Sequence, residues 1–279
     1  MISSIWKGET DVNTLGLEKI FNPYGTIKQV VAVMSGKGGV GKSSVTAMLA
    51  ASLNRQGISV GVLDADVTGP SIPRLFGVHR KIAQDGSAMI PVETAKGIKI
   101  VSINLLLDQE DQPVVWRGPL ISGVVKQFFE EVFWGDLDFL LVDLPPGTGD
   151  VPLTVMQSLP LDGLVVVTTP QELVAMIVKK AIHMAGQLNI PVLGMIENMS
   201  YLECPGCKKK IDVFGKSKID TITKELKIPL LGRLPLIPEV AALSDEGKVE
   251  LISDMLPDFF AEVTEKLQVS LSTVEKQPV

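Results

Sequence analysis

The chain has 279 residues, 46% of them hydrophobic, and a formal net charge of −6. That length holds one large α/β domain with a substantial core. The acidic balance argues against nucleic acid as the main partner, and no apolar run approaches the roughly 20 residues of a membrane helix.

Residues 1–28 read as an N-terminal extension, with a short helix near Leu15–Phe21 and a turn signal at Asn22-Pro23-Tyr24-Gly25. The opening MISSIWKGETDVN lacks a signal-peptide core, so the expected location is cytoplasmic. The main domain is expected over residues 29–268 and a mobile polar tail over 269–279.

A strand at Val30–Met34 leads into the loop Ser35–Ser44, SGKGGVGKSS, and a helix over Lys42–Asn54 follows. Gly36, Gly41, Lys42 and Ser43 fit the phosphate-binding pattern G-x-x-x-x-G-K-S/T in the strand–loop–helix setting it needs. With Gly38 and Gly39 ahead of Val40, the backbone can curl until its N–H groups face a phosphate. The helix start, with Ser43 and Ser44, adds unpaired donors and a partial positive charge. Lys42 would reach the terminal phosphates of ATP, and the Ser43 hydroxyl would complete a Mg²⁺ shell. Lys37 lies inside the loop and at the least adds positive potential there.

A second strand, Ser59–Asp64, exits into Asp64-Ala65-Asp66. These acids either orient water and support magnesium or simply cap and solvate a loop. Gln84–Pro91 reads as a hairpin or loop excursion, then come a strand at Ile98–Ile103 and a helix at Pro119–Phe133. The strand Phe139–Asp143 ends in an acid suited to hold Mg²⁺. Leu144-Pro145-Pro146-Gly147-Thr148-Gly149-Asp150 is a rigid turn whose Gly147 N–H is suited to sense a γ-phosphate. Asp150 is either the N-cap of a helix at Val151–Leu159 or a water-positioning group. Strands at Leu164–Thr168, Val192–Glu197 and Leu230–Leu234 alternate with helices at Glu172–Leu188, Ser217–Glu225 and Pro257–Leu267. The alternation predicts an α/β fold, a doubly wound, mainly parallel sheet with helices on both faces. Ligands of such sheets sit beyond the C-terminal strand ends, where these motifs fall.

The only two cysteines stand together in Cys204-Pro205-Gly206-Cys207. Proline and glycine bend the chain so that both sulfurs can face one metal. Two thiols fill neither a tetrahedral zinc site nor a four-thiolate cluster, whereas a dimer would bring four. A bridging metal site, a dithiol/disulfide pair and two ordinary cysteines all remain open on spacing alone. His79 and His183 have no neighbouring ligand pattern. Arg117 reads as surface, and the last helix is too acidic for an anionic membrane.

The stretches GKGGVGKS, LDADVTGPSIPRLFG, VVWRGPLISG, DFLLVDLPPGTGDVPLT and IENMSYLECPGC resemble the Mrp/ApbC family of iron–sulfur cluster carriers, which includes the Nbp-type scaffolds. The similarity runs from about Val30 to Leu267. That family is a branch of the deviant P-loop ATPases of the MinD/ParA/nitrogenase-iron-protein class. The resemblance implies a homodimer in which Lys37 reaches the partner's nucleotide. It implies Asp66 as the water-positioning acid, Asp64 as support near the metal, and Asn198 as the reader of adenine. Cys204 and Cys207 match the ligands of a 4Fe-4S cluster shared across the dimer, taken from a cluster donor and delivered to apoproteins. ATP hydrolysis is expected to be slow. Rival readings are a MinD/ParA-like positioning ATPase and a redox or zinc-binding P-loop ATPase. The chain departs from family members that carry a small domain or a cysteine cluster ahead of the ATPase.

Overall fold

The computed structural model describes residues 20–67, 69–86, 88–106, 118–171 and 174–274. Most of the helix expected near Leu15–Phe21, the start of the one expected at Glu172, Arg117 and the last five residues lie outside these. The main sheet has eight strands, built from runs of β-branched and aliphatic residues buried on both faces. In chain order they are β1 (Ile27–Ser35), β2 (Val60–Asp64), β5 (Val92–Glu93), β6 (Lys99–Ser102), β7 (Leu137–Asp143), β8 (Gly163–Thr168), β9 (Val192–Glu197) and β12 (Leu230–Arg233). Their spatial order is β12-β9-β8-β1-β7-β2-β6-β5. All neighbours run parallel except β5 on β6. Two hairpins stand apart from it, β3 (Ala83–Asp85) with β4 (Ala88–Ile90), and β10 (Leu202–Glu203) with β11 (Lys210–Ile211).

The pleat of β1 divides the core in two. Val31 and Val33 face α1 (Lys42–Arg55), α8 (Val249–Met255) and α9 (Pro257–Val274), against Leu49, Ile252 and Leu267. Val30, Ala32 and Met34 face α3 (Gly118–Glu130), α4 (Asp150–Gln157) and α5 (Val174–Gln187), against Val125, Met156 and Ala181. Each such fully buried Val, Leu or Met contributes about 1.5–3 kcal/mol. The connections α2 (Ile72–Leu75), α6 (Ile219–Leu226) and α7 (Pro238–Asp245) complete the layers. Among the described residues no helix is long and apolar enough to cross a membrane.

Two expected boundaries are corrected. The last helix runs to Val274, so residues 269–274 are not a loose tail. Phe260, Val263, Leu267 and Leu271 recur at helical spacing and are buried, which holds the helix onto the sheet beyond its polar outer face. The chain also joins the domain before residue 28. Buried Asn22 donates to the carbonyls of Phe129 and Val132 at 2.6 and 2.8 Å.

Candidate functional site: a phosphate loop beside a cysteine hairpin

The parallel strands β1, β2, β7, β8 and β9 end at one edge of the sheet, and register brings their last residues together. Asp64 is the ladder partner of Asp143, and Val33, two residues before the phosphate loop, is its partner on the other side. The loop Gly36–Gly41 passes over this edge, with Gly39 and Gly41 both at φ +78°. A Cβ at Gly41 would lie 2.3 Å from Nδ2 of Asn198, so only glycine lets Asn198 pack on the loop. That amide, itself buried, donates to the Val40 carbonyl at 2.9 Å. Its remaining donor and its oxygen are the groups an adenine edge would need. The first turn of α1 carries no acid, which leaves its positive end uncompensated.

Lys42 and Asp143 form a buried pair, Nζ to Oδ2 at 2.6 Å, with side chains 5% and 0% exposed. Ser43 Oγ donates to the same oxygen at 2.6 Å, and Thr46 Oγ1 donates to Oδ1 at 2.7 Å. The sequence reading missed Thr46. It lies one helical turn after Lys42, so its spacing already placed it on the same face. Ser102 was missed too, and its hydroxyl donates to Asp64 Oδ2 at 3.1 Å.

Asp64 is fully buried and also accepts from the N–H groups of Asp66 and Ile72. Burial pushes its carboxyl up to about 8, and the neighbouring Asp143 adds to the shift while Lys42 opposes it. In the unfolded chain this group ionises near 4, so between about pH 4 and pH 8 the folded chain holds the extra proton. The stability it confers is complete below that window and is lost as pH rises through it. In metal-free protein, Asp64→Asn should therefore flatten the fall of the urea midpoint across this range. A slope equal to that of the unmodified chain would refute the assignment.

Asp66 is buried at 8% exposure, and its Oδ1 accepts from the Gly69 N–H at 3.2 Å. Lys37 Nζ donates to Oε1 of Gln171, on the loop after β8. One expectation meets a competing partner and one is corrected. The Gly147 N–H, held at φ +101°, donates to the Ser35 carbonyl at 2.8 Å and so is spent within the fold. It can reach a phosphate only after that bond breaks. Asp150 is the first residue of α4 rather than its N-cap, which is Gly149. The extended Gly149 backbone ends the turn one residue early.

The cysteines occupy the tip of the β10–β11 hairpin. Cys204 N–H donates to Lys209 O at 3.0 Å and Lys208 N–H to Cys204 O at 2.9 Å, closing a tight knuckle. Lys208 takes φ +60°, a conformation that usually selects glycine. Cys204 is half-buried and Cys207 exposed. The N–H groups of Cys207 and Gly206 directed at the Cys204 sulfur, with the Cys207 thiol, hold the Cys204 thiol below its ordinary range. Lys210 caps the Tyr201 ring, 4.2 Å from its centre. Among the described residues no cluster of three or more Cys, His, Asp or Glu could hold a metal within one chain.

A sequence profile described as "ParA: NUBPL iron-transfer P-loop NTPase" matches residues 26–268. The iron-sulfur cluster carrier protein of Clostridium perfringens is 49% identical over 240 residues, covering 83% of this chain and 84% of its own. Among solved structures, the nucleotide-binding protein of Archaeoglobus fulgidus in complex with ADP is 47% identical. It superposes with a TM-score of 0.75 over 84% of this chain and 91% of that one. The cell division ATPase MinD of Pyrococcus furiosus, 19% identical with a TM-score of 0.62 over 87% of this chain and 99% of its own, shares the fold. A profile that spans the whole sheet, joined to relatives near half identity, establishes that the chain belongs to the NUBPL iron-transfer P-loop NTPases.

Proposed function

We propose that the chain is a cytoplasmic, homodimeric carrier that binds and slowly hydrolyses ATP and delivers a 4Fe-4S cluster to apoproteins. The observation that carries this reading is a half-complete thiol site, two cysteines at a hairpin tip, on a chain with a full phosphate loop. A second copy would supply the other two thiolates that such a cluster needs.

ATP lies with its phosphates on Gly36–Ser44 and its base toward Asn198. Lys42 exchanges Asp143 for the phosphates, and Lys37 exchanges Gln171 for the partner's nucleotide. The convergence of Ser43 Oγ and the Asp143 carboxylate, 2.6 Å apart, is an oxygen donor set that fits Mg²⁺, with Asp64 in support. The magnesium would neutralise charge developing on the phosphates. Asp66 orients the attacking water. Breaking the Gly147–Ser35 bond moves the Pro145–Asp150 turn and, through it, the arrangement of the two subunits. Transfer from the reconstituted protein to an apo-ferredoxin acceptor should therefore change at least threefold between Mg-ATP and nucleotide-free buffer. Equal rates would refute the link to nucleotide, and no transfer at all would refute the carrier.

A further inference from the structure

Just beyond the cysteine hairpin in the chain lies a cleft of about 610 Å³, of which the nucleotide and cluster roles use only Gln171. Its lining includes the apolar Pro170, Phe214, Ile219 and Ile222 and the exposed Lys216 and Lys218. Phe214 is 40% exposed, as are its neighbours Ile211 and Val213 at 44% each. The charge here opposes that of the chain. Between Glu203 and Lys218 there are five lysines against two acids, in a protein of net charge −6. The two carboxylates of the cleft are already compensated. Glu197 accepts from Ser200 and Ser217 at 2.5 and 2.6 Å and faces the Arg233 guanidinium at 3.7 Å, and Glu225 pairs with Lys179 at 2.6 Å. Thr169, on the wall, is 3% exposed, and its hydroxyl has no hydrogen-bond partner among the described residues.

We propose that this cleft receives an acidic peptide segment of a partner protein, one apolar side chain seated on Phe214 and Ile222 and carboxylates on Lys216 and Lys218. At about 610 Å³ the cleft has room for several side chains of a peptide segment, and its lysine rim favours a segment that carries carboxylates over a neutral or basic one. The hairpin that carries the thiols ends at Ile211, and three residues on the same chain reaches Phe214 of the cleft. That the partner is a cluster acceptor rests on the carrier reading; the docking itself does not. Gln171, on the same wall, is the residue that Lys37 holds. Nucleotide that draws Lys37 away releases the Gln171 amide into the cleft.

The test uses the full chain and fluorescence anisotropy of a fluorescein-labelled peptide with one leucine between two runs of four glutamates. The expected result is salt-sensitive binding, about tenfold weaker in Lys216→Glu/Lys218→Glu and about threefold weaker in Phe214→Ala. Lys208→Glu/Lys209→Glu, at the hairpin tip, should weaken it less. Circular dichroism melts check that all variants fold. No binding, equal losses in both charge-reversal variants, or equal binding of an oligothymidine would overturn the proposal. So would loss of self-association in Lys216→Glu/Lys218→Glu, which would assign the cleft to a second copy. Iron content of the same proteins is read separately. Peptide binding lost with iron kept in the charge variant supports the cleft, and iron absent from the unmodified chain refutes the carrier alone.

Discussion

Replacing Asp143 by alanine should destabilise the ligand-free protein by about 3–5 kcal/mol, the usual cost of leaving a buried charge unpaired. The carboxylate takes three side-chain hydrogen bonds, from Lys42, Ser43 and Thr46, and neither it nor the lysine has water to fall back on. Three donors lose their acceptor at once, and one of them is a cation. Part of the loss is recoverable through Asp64. Removing its anionic neighbour makes Asp64 easier to ionise, which places a negative charge back in the pocket. The double variant Lys42→Met/Asp143→Ala should accordingly be more stable than Asp143→Ala alone, because the orphaned charge is gone. Urea midpoints of the unmodified chain, Asp143→Ala, Lys42→Met and the double variant measure this directly. A loss below about 1 kcal/mol for Asp143→Ala would mean the pair is exposed in solution. Equal losses in the single and double variants would mean that the cation is not the cause.

Cys204→Ala/Cys207→Ala should abolish iron binding while leaving nucleotide binding unchanged. After anaerobic reconstitution the unmodified protein should carry about four iron and four sulfide per two chains, since each iron of such a cluster takes one thiolate. The variant should carry essentially none. The hairpin β10–β11 pairs only with itself and stands outside the main sheet, so its tip can lose two sulfurs without disturbing the phosphate loop. The lowered Cys204 thiol favours the thiolate that a metal needs. Iron retained by the variant would remove the cysteines from the site. Zinc without iron, near one per two chains, would establish a closed Cys₄ zinc site instead. A reversible intramolecular disulfide with no iron would establish redox chemistry. Each outcome is decided by metal analysis, sulfide content and a thiol titration on the same samples.

The local features of this protein were written in its sequence. Seven strands of the main sheet stood out because a strand buried on both faces must be an unbroken apolar run, as in Leu140-Leu141-Val142 and Val165-Val166-Val167. The phosphate loop was equally legible, since glycine spacing and the Lys42–Ser43 pair are demands on neighbouring residues. The two-residue β5 was too short to show a period. Helix α7 was hidden because Ser244 alone of its residues is buried, and α8 because it buries Glu250 and Ser253 with its aliphatics.

What only the tertiary structure decided is what depends on distant residues meeting. The position of β7 between β1 and β2 sets Asp143 against Lys42, a hundred positions away, and beside Asp64. Burial at this sheet edge, and then Asp143 beside it, makes the Asp64 carboxyl resist ionisation. The Gly147 N–H was readable as a donor, yet its present acceptor, Ser35, is far off in sequence. The same holds for Gln171 against Lys37, and for the cleft that forms where the loop after β8 meets the segment beyond the cysteine hairpin. Backbone conformation and side-chain period are local and leave a local trace. Strand order, and every charge or hydrogen bond that crosses it, is settled only by packing.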